Sequence, residues 1–327
     1  MSGLAPLAVG LARQLARRIG QSRAIAQKAD IAGAVGRLGL GGRAPVAVGD
    51  DAAAIPDGDG FLLLAIEGFL NEFVAAMPWF AGWSGVMVNL SDIAAMGGRA
   101  VALVDALWST DPDAASPLLD GLRAAAETYG VPIVGGHSSL RANQGQLAVA
   151  VLGRAKRLLT SFAARPGDQL IAAIDLRGAW HDPHPFWDAS TRGAPASRLR
   201  GDLEILPRLA EAGLCRAAKD ISMGGVPGTA LMLAECSRIG ICLDPALVPC
   251  PEGVDPERWL SCFPSFGFLL AAPPPDVPAI LAAFTARDIA AAVIGACEDG
   301  TRLDLIEGGR RETCWDLARA PLLGCAP

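Results

Sequence analysis

VNLSDIAAMGG, residues 88–98, sets two polar groups in an otherwise apolar run. Asn89 and Asp92 are three positions apart, so on a helix they share a face. Val88, Leu90, Ile93, Ala94, Ala95 and Met96 surround them with hydrocarbon. A carboxylate in such a setting needs a partner, because a buried unpaired charge is costly. That partner is either a metal or metal-bound phosphate, or an arginine. The run extends upstream to about Met77 or Ala81 as one helix, and Gly97 and Gly98 close it.

Three further segments carry chemistry of the same kind. VGDDAAAI (48–55) places adjacent carboxylates, Asp50 and Asp51, after the short apolar stretch Val46–Val48. Hard cations such as Mg²⁺ take oxygen ligands, usually one or two carboxylates plus substrate phosphates; a solvated turn has the same composition. IVGGHSSL (133–140) reads as a strand running into Gly135 and Gly136 and then His137. KDISMGGVPG (219–228) has Asp220 at a strand end, with Gly224 and Gly225 opening a helix. Such a loop offers backbone N–H groups to phosphate, and is also a common plain turn.

Elsewhere strands and helices alternate. Residues 1–40 read as helical, with Leu11, Leu15 and Ile19 near a helical period. GLGGRAP (39–45) ends that region. Strands are expected at 46–48, 61–66, 101–107, 131–134 and 146–152, and a helix from Asp111 and Pro112 to about Tyr129. RPGD (165–168) marks a boundary, after which strands near 170–174, 217–219, 266–271, 292–294 and 303–306 alternate with helices near 203–212, 228–237 and 277–285. The class is α/β or α+β. The expected division is a helical segment 1–45, a domain 46–157 and a domain 158–327.

The 327 residues are 51% hydrophobic and 19% charged, enough for a sizeable core. A formal net charge of −6 without a basic run argues against nucleic-acid and anionic-membrane partners. The longest clean apolar run, about 61–66, is far short of the roughly 20 residues that span a bilayer. The basic residues of MSGLAPLAVGLARQLARRIG follow its apolar stretch, which argues against a secretory signal and for an amphipathic helix. Eight cysteines without a CxxC pair read as reduced thiols of a cytoplasmic protein. The polar stretch 177–201 holds His181, His184, Trp180, Trp187, Arg192, Arg198 and Arg200. It reads as a mobile polar loop or a substrate lid; HxxH with Asp182 and Asp188 lacks a complete zinc ligand set.

The order and spacing of the four motifs resemble the aminoimidazole ribonucleotide (AIR) synthetase superfamily, which includes thiamine-monophosphate kinase and selenophosphate synthetase, over about residues 45–310. VGDDAAAI is similar to the kinase's GDDAA, and VNLSDIAAMGG is the most distinctive match. LLAIEG (63–68) stands where the family has a strand ending in aspartate, so Glu67 resembles that acidic ligand. GGH (135–137) is similar to selenophosphate synthetase, and KDISMGG to the family's DISDG and DITGGG. The resemblance implies a two-domain fold whose N-terminal domains pair into a β-barrel across a homodimer, with a C-terminal α/β sandwich. It also implies an ATP site. Asp50, Asp51, Glu67, Asp92 and Asp220 would hold Mg²⁺, and Asn89, Gly135, Gly136, Gly224 and Gly225 would shape the nucleotide site.

The sequence also departs from the kinase. Met223 replaces the second aspartate of DISDG, His137 replaces the aspartate of GGD, and PSFGFLL (264–270) lacks the late acids. His137 could donate a hydrogen bond or act as an acid or base near neutral pH, with Asp220 as the other catalytic candidate. The expected function is Mg-ATP-dependent phosphoryl transfer to a small molecule. The alternatives are thiamine-monophosphate kinase, or a nucleotide-binding protein that has lost catalysis.

Overall fold

The structure is a computed structural model that describes residues 10–40 and 46–324. The readings at residues 1–9, at 41–45 and at Cys325 lie outside the described residues.

Helix α1 (Leu11–Gln21) repeats apolar residues every four positions, and Leu11, Leu15 and Ile19 are all buried. Helix α2 (Arg23–Leu38) starts where the Ser22 hydroxyl accepts from the Ile25 amide, and stops at Gly39 with φ 64°. The short strand expected at 46–48 is absent. The Asp50 carboxylate instead accepts from Thr160 Oγ1 at 2.6 Å and from the Ser161 amide at 2.8 Å.

Then follow β1 (Ala53–Asp57), β2 (Gly60–Gly68), α3 (Asn71–Ala76), α4 (Pro78–Ala95), β3 (Arg99–Trp108), α5 (Pro112–Tyr129), β4 (Ile133–Ser139) and β5 (Gln146–Ala155). Asp111 caps α5 through the Ala114 amide, with Pro112 in the first turn. The five strands form one sheet, β1-β2-β5-β3-β4, antiparallel except for the parallel pair β3 and β4. Helix α4 runs along β5: space beside Gly85 is filled by Val149, and space beside Gly153 by Ile93. Leu63, Leu103, Leu107, Val149 and Val151 alternate into that covered face. The opposite face leaves Ile55, Leu64, Ile66, Val104 and Leu152 exposed. Within one chain the sheet is open, with β1 and β4 at its edges.

The remaining elements are β6 (Gln169–Ile174), β7 (Ala179–Trp180), β8 (Phe186–Asp188), α6 (Ala196–Leu203), α7 (Ile205–Ala212), β9 (Ala217–Asp220), α8 (Gly225–Ser237), β10 (Gly240–Leu243), α9 (Pro256–Leu260), β11 (Phe263–Pro264), β12 (Gly267–Ala272), α10 (Val277–Thr285), β13 (Ala290–Glu298), β14 (Arg302–Glu307) and β15 (Arg310–Asp316). Seven strands make a mixed sheet, β15-β14-β10-β13-β6-β12-β9, and three make a small one, β11-β8-β7. The stretch 177–201 is therefore not one loop: it holds β7, β8 and the start of α6.

The chain forms two compact units, one from the described parts of 1–50, 159–193 and 212–327, the other from 51–158 and 194–211. The first two helices thus belong with the C-terminal sheet instead of standing apart. Apolar burial of α1 and the Glu307 carboxylate fix this arrangement. Glu307 accepts from the Gly10 and Leu11 amides at 2.7 and 3.1 Å, capping α1. Buried Glu235 accepts from the amides of Leu322, Leu323 and Gly324. Residues 194–211 join the N-terminal unit through arginines. Arg99 pairs with Glu204 at 2.9 Å and Glu211 at 2.7 Å. Arg200 donates to the Thr128 and Glu127 carbonyls at the end of α5, where a cation is favoured.

Candidate functional site

The N-terminal unit brings Asp51 and Asp92 together: each offers a carboxylate oxygen, and the two lie within 4.8 Å of each other. Asp51 sits in the bend before β1, half-buried, and Asp92 is buried on the last turns of α4. Two like charges at this separation repel, so the arrangement favours a cation. One turn earlier on α4, Asn89 is fully buried. Its Nδ2 donates to the Gly85 carbonyl at 2.7 Å, while its Oδ1 has no hydrogen-bond partner among the described residues. Leaving a buried acceptor unmet costs about 1–3 kcal/mol.

The neighbouring aspartates part company. Asp50 lies on the other compact unit, and Thr160 and Ser161 occupy its carboxylate. Among the described residues it is not grouped with Asp51 and Asp92. Glu67 stands exposed near the end of β2, also outside that pair.

Strand register explains the glycines of IVGGHSSL. Gly135, Gly136 and His137 are not a turn beyond a strand; they lie inside β4, opposite Val104, Asp105 and Ala106 of β3. Asp105 also faces Val149, which faces Glu67, so Glu67, Val149 and Asp105 share the face covered by α4. A Cβ at Gly136 would come within 2.7 Å of Asp105 Oδ2, so the glycine makes room for that carboxyl. Burial pushes the Asp105 carboxyl above its ordinary pKa. His137, one residue on, points to the opposite face, where its ring lies 5.9 Å from that of Trp108. Within one chain β4 therefore turns His137 away from α4 and the aspartate pair.

The glycines of KDISMGGVPG have a packing explanation as well. Gly225 has φ 63°, and a Cβ there would lie 2.1 Å from the Leu260 carbonyl. Ile25 of α2 fills the space beside Gly224 and Gly228. The Gly225 amide donates to Ser222 O at 2.8 Å and the Gly228 amide to Gly224 O at 3.1 Å. These N–H groups are therefore engaged, and the turn is not an open phosphate cradle at those positions. Asp220 closes β9, buried, and its carbonyl is 3.5 Å from Thr229 Oγ1.

In the stretch 177–201, Asp188 is buried and accepts from the amides and hydroxyls of Ser190 and Thr191. His181 Nδ1 is 3.9 Å away, and burial, the largest influence, lowers the His181 pKa. Asp182 pairs with Arg258, whose guanidinium lies 3.8 Å over the Trp180 ring. Among the described residues these groups do not assemble as a metal site. Two residues escaped the sequence reading: Asp105, signalled only by a charge within the apolar strand VALVDALW, and Lys219, buried on β9 beside Asp220.

Two α/β domains, each built on a mixed sheet, with an acidic pair on the N-terminal one, define the class. The chain belongs to the AIR synthase related proteins: that family's N-terminal domain matches residues 49–155 and its C-terminal domain residues 187–307. It is 45% identical over 312 residues to an uncharacterized protein of Synechocystis sp., covering 95% of this chain and 92% of the relative. It is 30% identical over 272 residues to the thiamine-monophosphate kinase of Halobacterium salinarum, covering 78% and 90%. The fold matches that of T. maritima PurL complexed with ATP, with TM-score 0.73 and 18% identity over 98% of this chain. The match spans 53% of the PurL chain, so this protein corresponds to about half of it. No helix among the described residues is long and apolar enough to cross a membrane.

Proposed function

We propose that this protein is a Mg-ATP-dependent phosphoryl-transfer enzyme acting on a small molecule. The observation that carries this reading is the Asp51–Asp92 pair, whose oxygens lie within 4.8 Å of each other beside the buried Asn89. An all-oxygen donor set suits a hard cation such as Mg²⁺. Asp51 and Asp92 would hold the ion; the family resemblance adds Asp50, Glu67 and Asp220. When bound, Mg²⁺ neutralises the polyphosphate and clamps the transferred group. The likeness to the Halobacterium kinase supports an ATP-using ancestor, and the PurL match supports the fold.

The acceptor is not thiamine monophosphate on this reading, because the chain has His137 and Met223 where the kinase carries aspartates. Bringing two phosphates together needs a dense set of metal-bound carboxylates, which is thinned here. The test is to incubate the protein with ATP, Mg²⁺ and a panel of phosphate, carboxylate and amide acceptors that includes thiamine monophosphate. Mg-dependent ADP formation with little thiamine diphosphate is expected. No turnover with any acceptor would leave a nucleotide-binding protein without catalysis. Thiamine diphosphate formed at about 1 s⁻¹ or faster, within the usual kinase range, would assign the kinase activity.

We also propose a homodimer. Ile55 is 50% exposed, Leu64 49% and Ile66 68%, all on one face of an open five-stranded sheet. An apolar face of this kind favours covering by a second copy, and His137 would then lie at the interface. Light scattering at micromolar concentration should give about twice the 33.7 kDa chain mass; a single-chain mass would refute pairing.

A further inference from the structure

We infer that Asn89 is itself an oxygen ligand of the cation held by Asp51 and Asp92, acting through Oδ1. This rests on the metal reading above and extends it to a neutral residue.

The orientation of the amide is fixed by chemistry. Nδ2 donates to the Gly85 carbonyl at 2.7 Å, and a carbonyl accepts only from the NH₂ end. Oδ1 is therefore the other end, fully buried and without a hydrogen-bond partner among the described residues. Asparagine is a poor residue for a helix interior, yet it stands in the middle of the longest buried run of α4. A plain structural role would be met by an apolar side chain, as at its neighbours Val88 and Leu90. Asn89 precedes Asp92 by three positions, so the orphan oxygen and the Asp92 carboxylate lie on one side of the helix.

The charge balance explains why an amide suits this position. Two carboxylates neutralise one Mg²⁺ ion. An amide oxygen adds a ligand without adding negative charge for an incoming polyphosphate to meet. Asn89 would thus complete the metal's oxygen shell while leaving the site open to a nucleotide.

The experiment titrates Mn²⁺, as a probe for Mg²⁺, into metal-free protein without nucleotide, reading bound ion by electron paramagnetic resonance and melting temperature in parallel. The proteins are wild type, Asn89→Leu, Asn89→Ala, Asn89→Asp and Asp92→Asn. Asn89→Leu should melt no lower than wild type in EDTA, since an unmet buried acceptor is gone. It should bind Mn²⁺ about tenfold more weakly and lose most of the Mn²⁺-induced rise in melting temperature. Asn89→Ala, which serves if the leucine variant does not fold, should show the same loss of affinity, and Asn89→Asp should restore it. Mn²⁺ affinity within twofold of wild type in both Asn89→Leu and Asn89→Ala would overturn the inference, as would Asn89→Asp binding no better than Asn89→Ala. Asp92→Asn separates the two levels of the argument. If it loses Mn²⁺ while Asn89→Ala keeps it, the pair is a metal site and only this inference fails. If it binds Mn²⁺ like wild type, the metal reading fails, and this inference with it.

Discussion

Two segments of this chain carry nearly the same sequence signals, and the structure accounts for their glycines and polar groups differently. VNLSDIAAMGG (88–98) and KDISMGGVPG (219–228) each pair an aspartate with glycines beside apolar residues. In the second, the structure accounts for the glycines by packing: Ile25 fills the space at Gly224 and Gly228, the Leu260 carbonyl abuts Gly225, and the amides of Gly225 and Gly228 are bonded within the turn. In the first, burial leaves Asn89 Oδ1 with no partner among the described residues and sets two carboxylates within 4.8 Å of each other. A glycine next to a crowded carbonyl is explained by the fold. A buried polar atom with no partner among the described residues is not, and each segment holds one, Asn89 Oδ1 in the first and Ser222 Oγ in the second.

The largest effect that sharpens this contrast is on stability. Gly225→Ala forces a Cβ toward the Leu260 carbonyl at a left-handed φ of 63°. It should cost about 2–4 kcal/mol in urea unfolding. The folded fraction should still bind Mg-ATP as wild type does. A variant of normal stability with weakened nucleotide binding would mean that the turn is a phosphate site after all.

A smaller effect concerns Asp105. Burial raises its folded pKa above the unfolded value of roughly 3.9. The sign follows from linkage: a carboxyl with a raised folded pKa favours folding in its protonated form, and that contribution is lost as pH rises through the folded pKa. Asp105→Asn should therefore melt slightly higher than wild type at pH 7, with the difference shrinking toward pH 4. Measuring melting temperature across that range checks it. A variant that melts lower at pH 7 would show that the ionised carboxylate is held by a favourable partner.

Much of the fold was legible because periodicity and punctuation coincide. Pro78 and Gly97 bracket α4, Asp111 and Gly130 bracket α5, and Leu11, Leu15 and Ile19 mark the buried stripe of α1. What the sequence did not reveal is long-range. Nothing local in 11–38 says that these helices belong with the C-terminal sheet, which depends on Glu307 almost 300 residues away. Nor does RGDLEILPRL (200–209) announce that Arg99 and the end of α5 will claim it. The site was legible in its composition and less so in its membership. Asp50 and Asp51 look equivalent in sequence, yet Thr160 and Ser161 engage the first. Gly135 and Gly136 read as a loop, but the β3 register draws them into a strand, and alternation then turns His137 to the far face.

The most direct test of the account is calorimetric titration of Mg-ATP into wild type and Asp92→Asn, with melting curves to confirm that both are folded. Asparagine keeps the shape of the side chain and removes its charge. The account predicts measurable Mg-dependent binding to wild type and a loss of at least about tenfold, or ~1.4 kcal/mol, in the variant. Equal affinity in two equally folded proteins would contradict it.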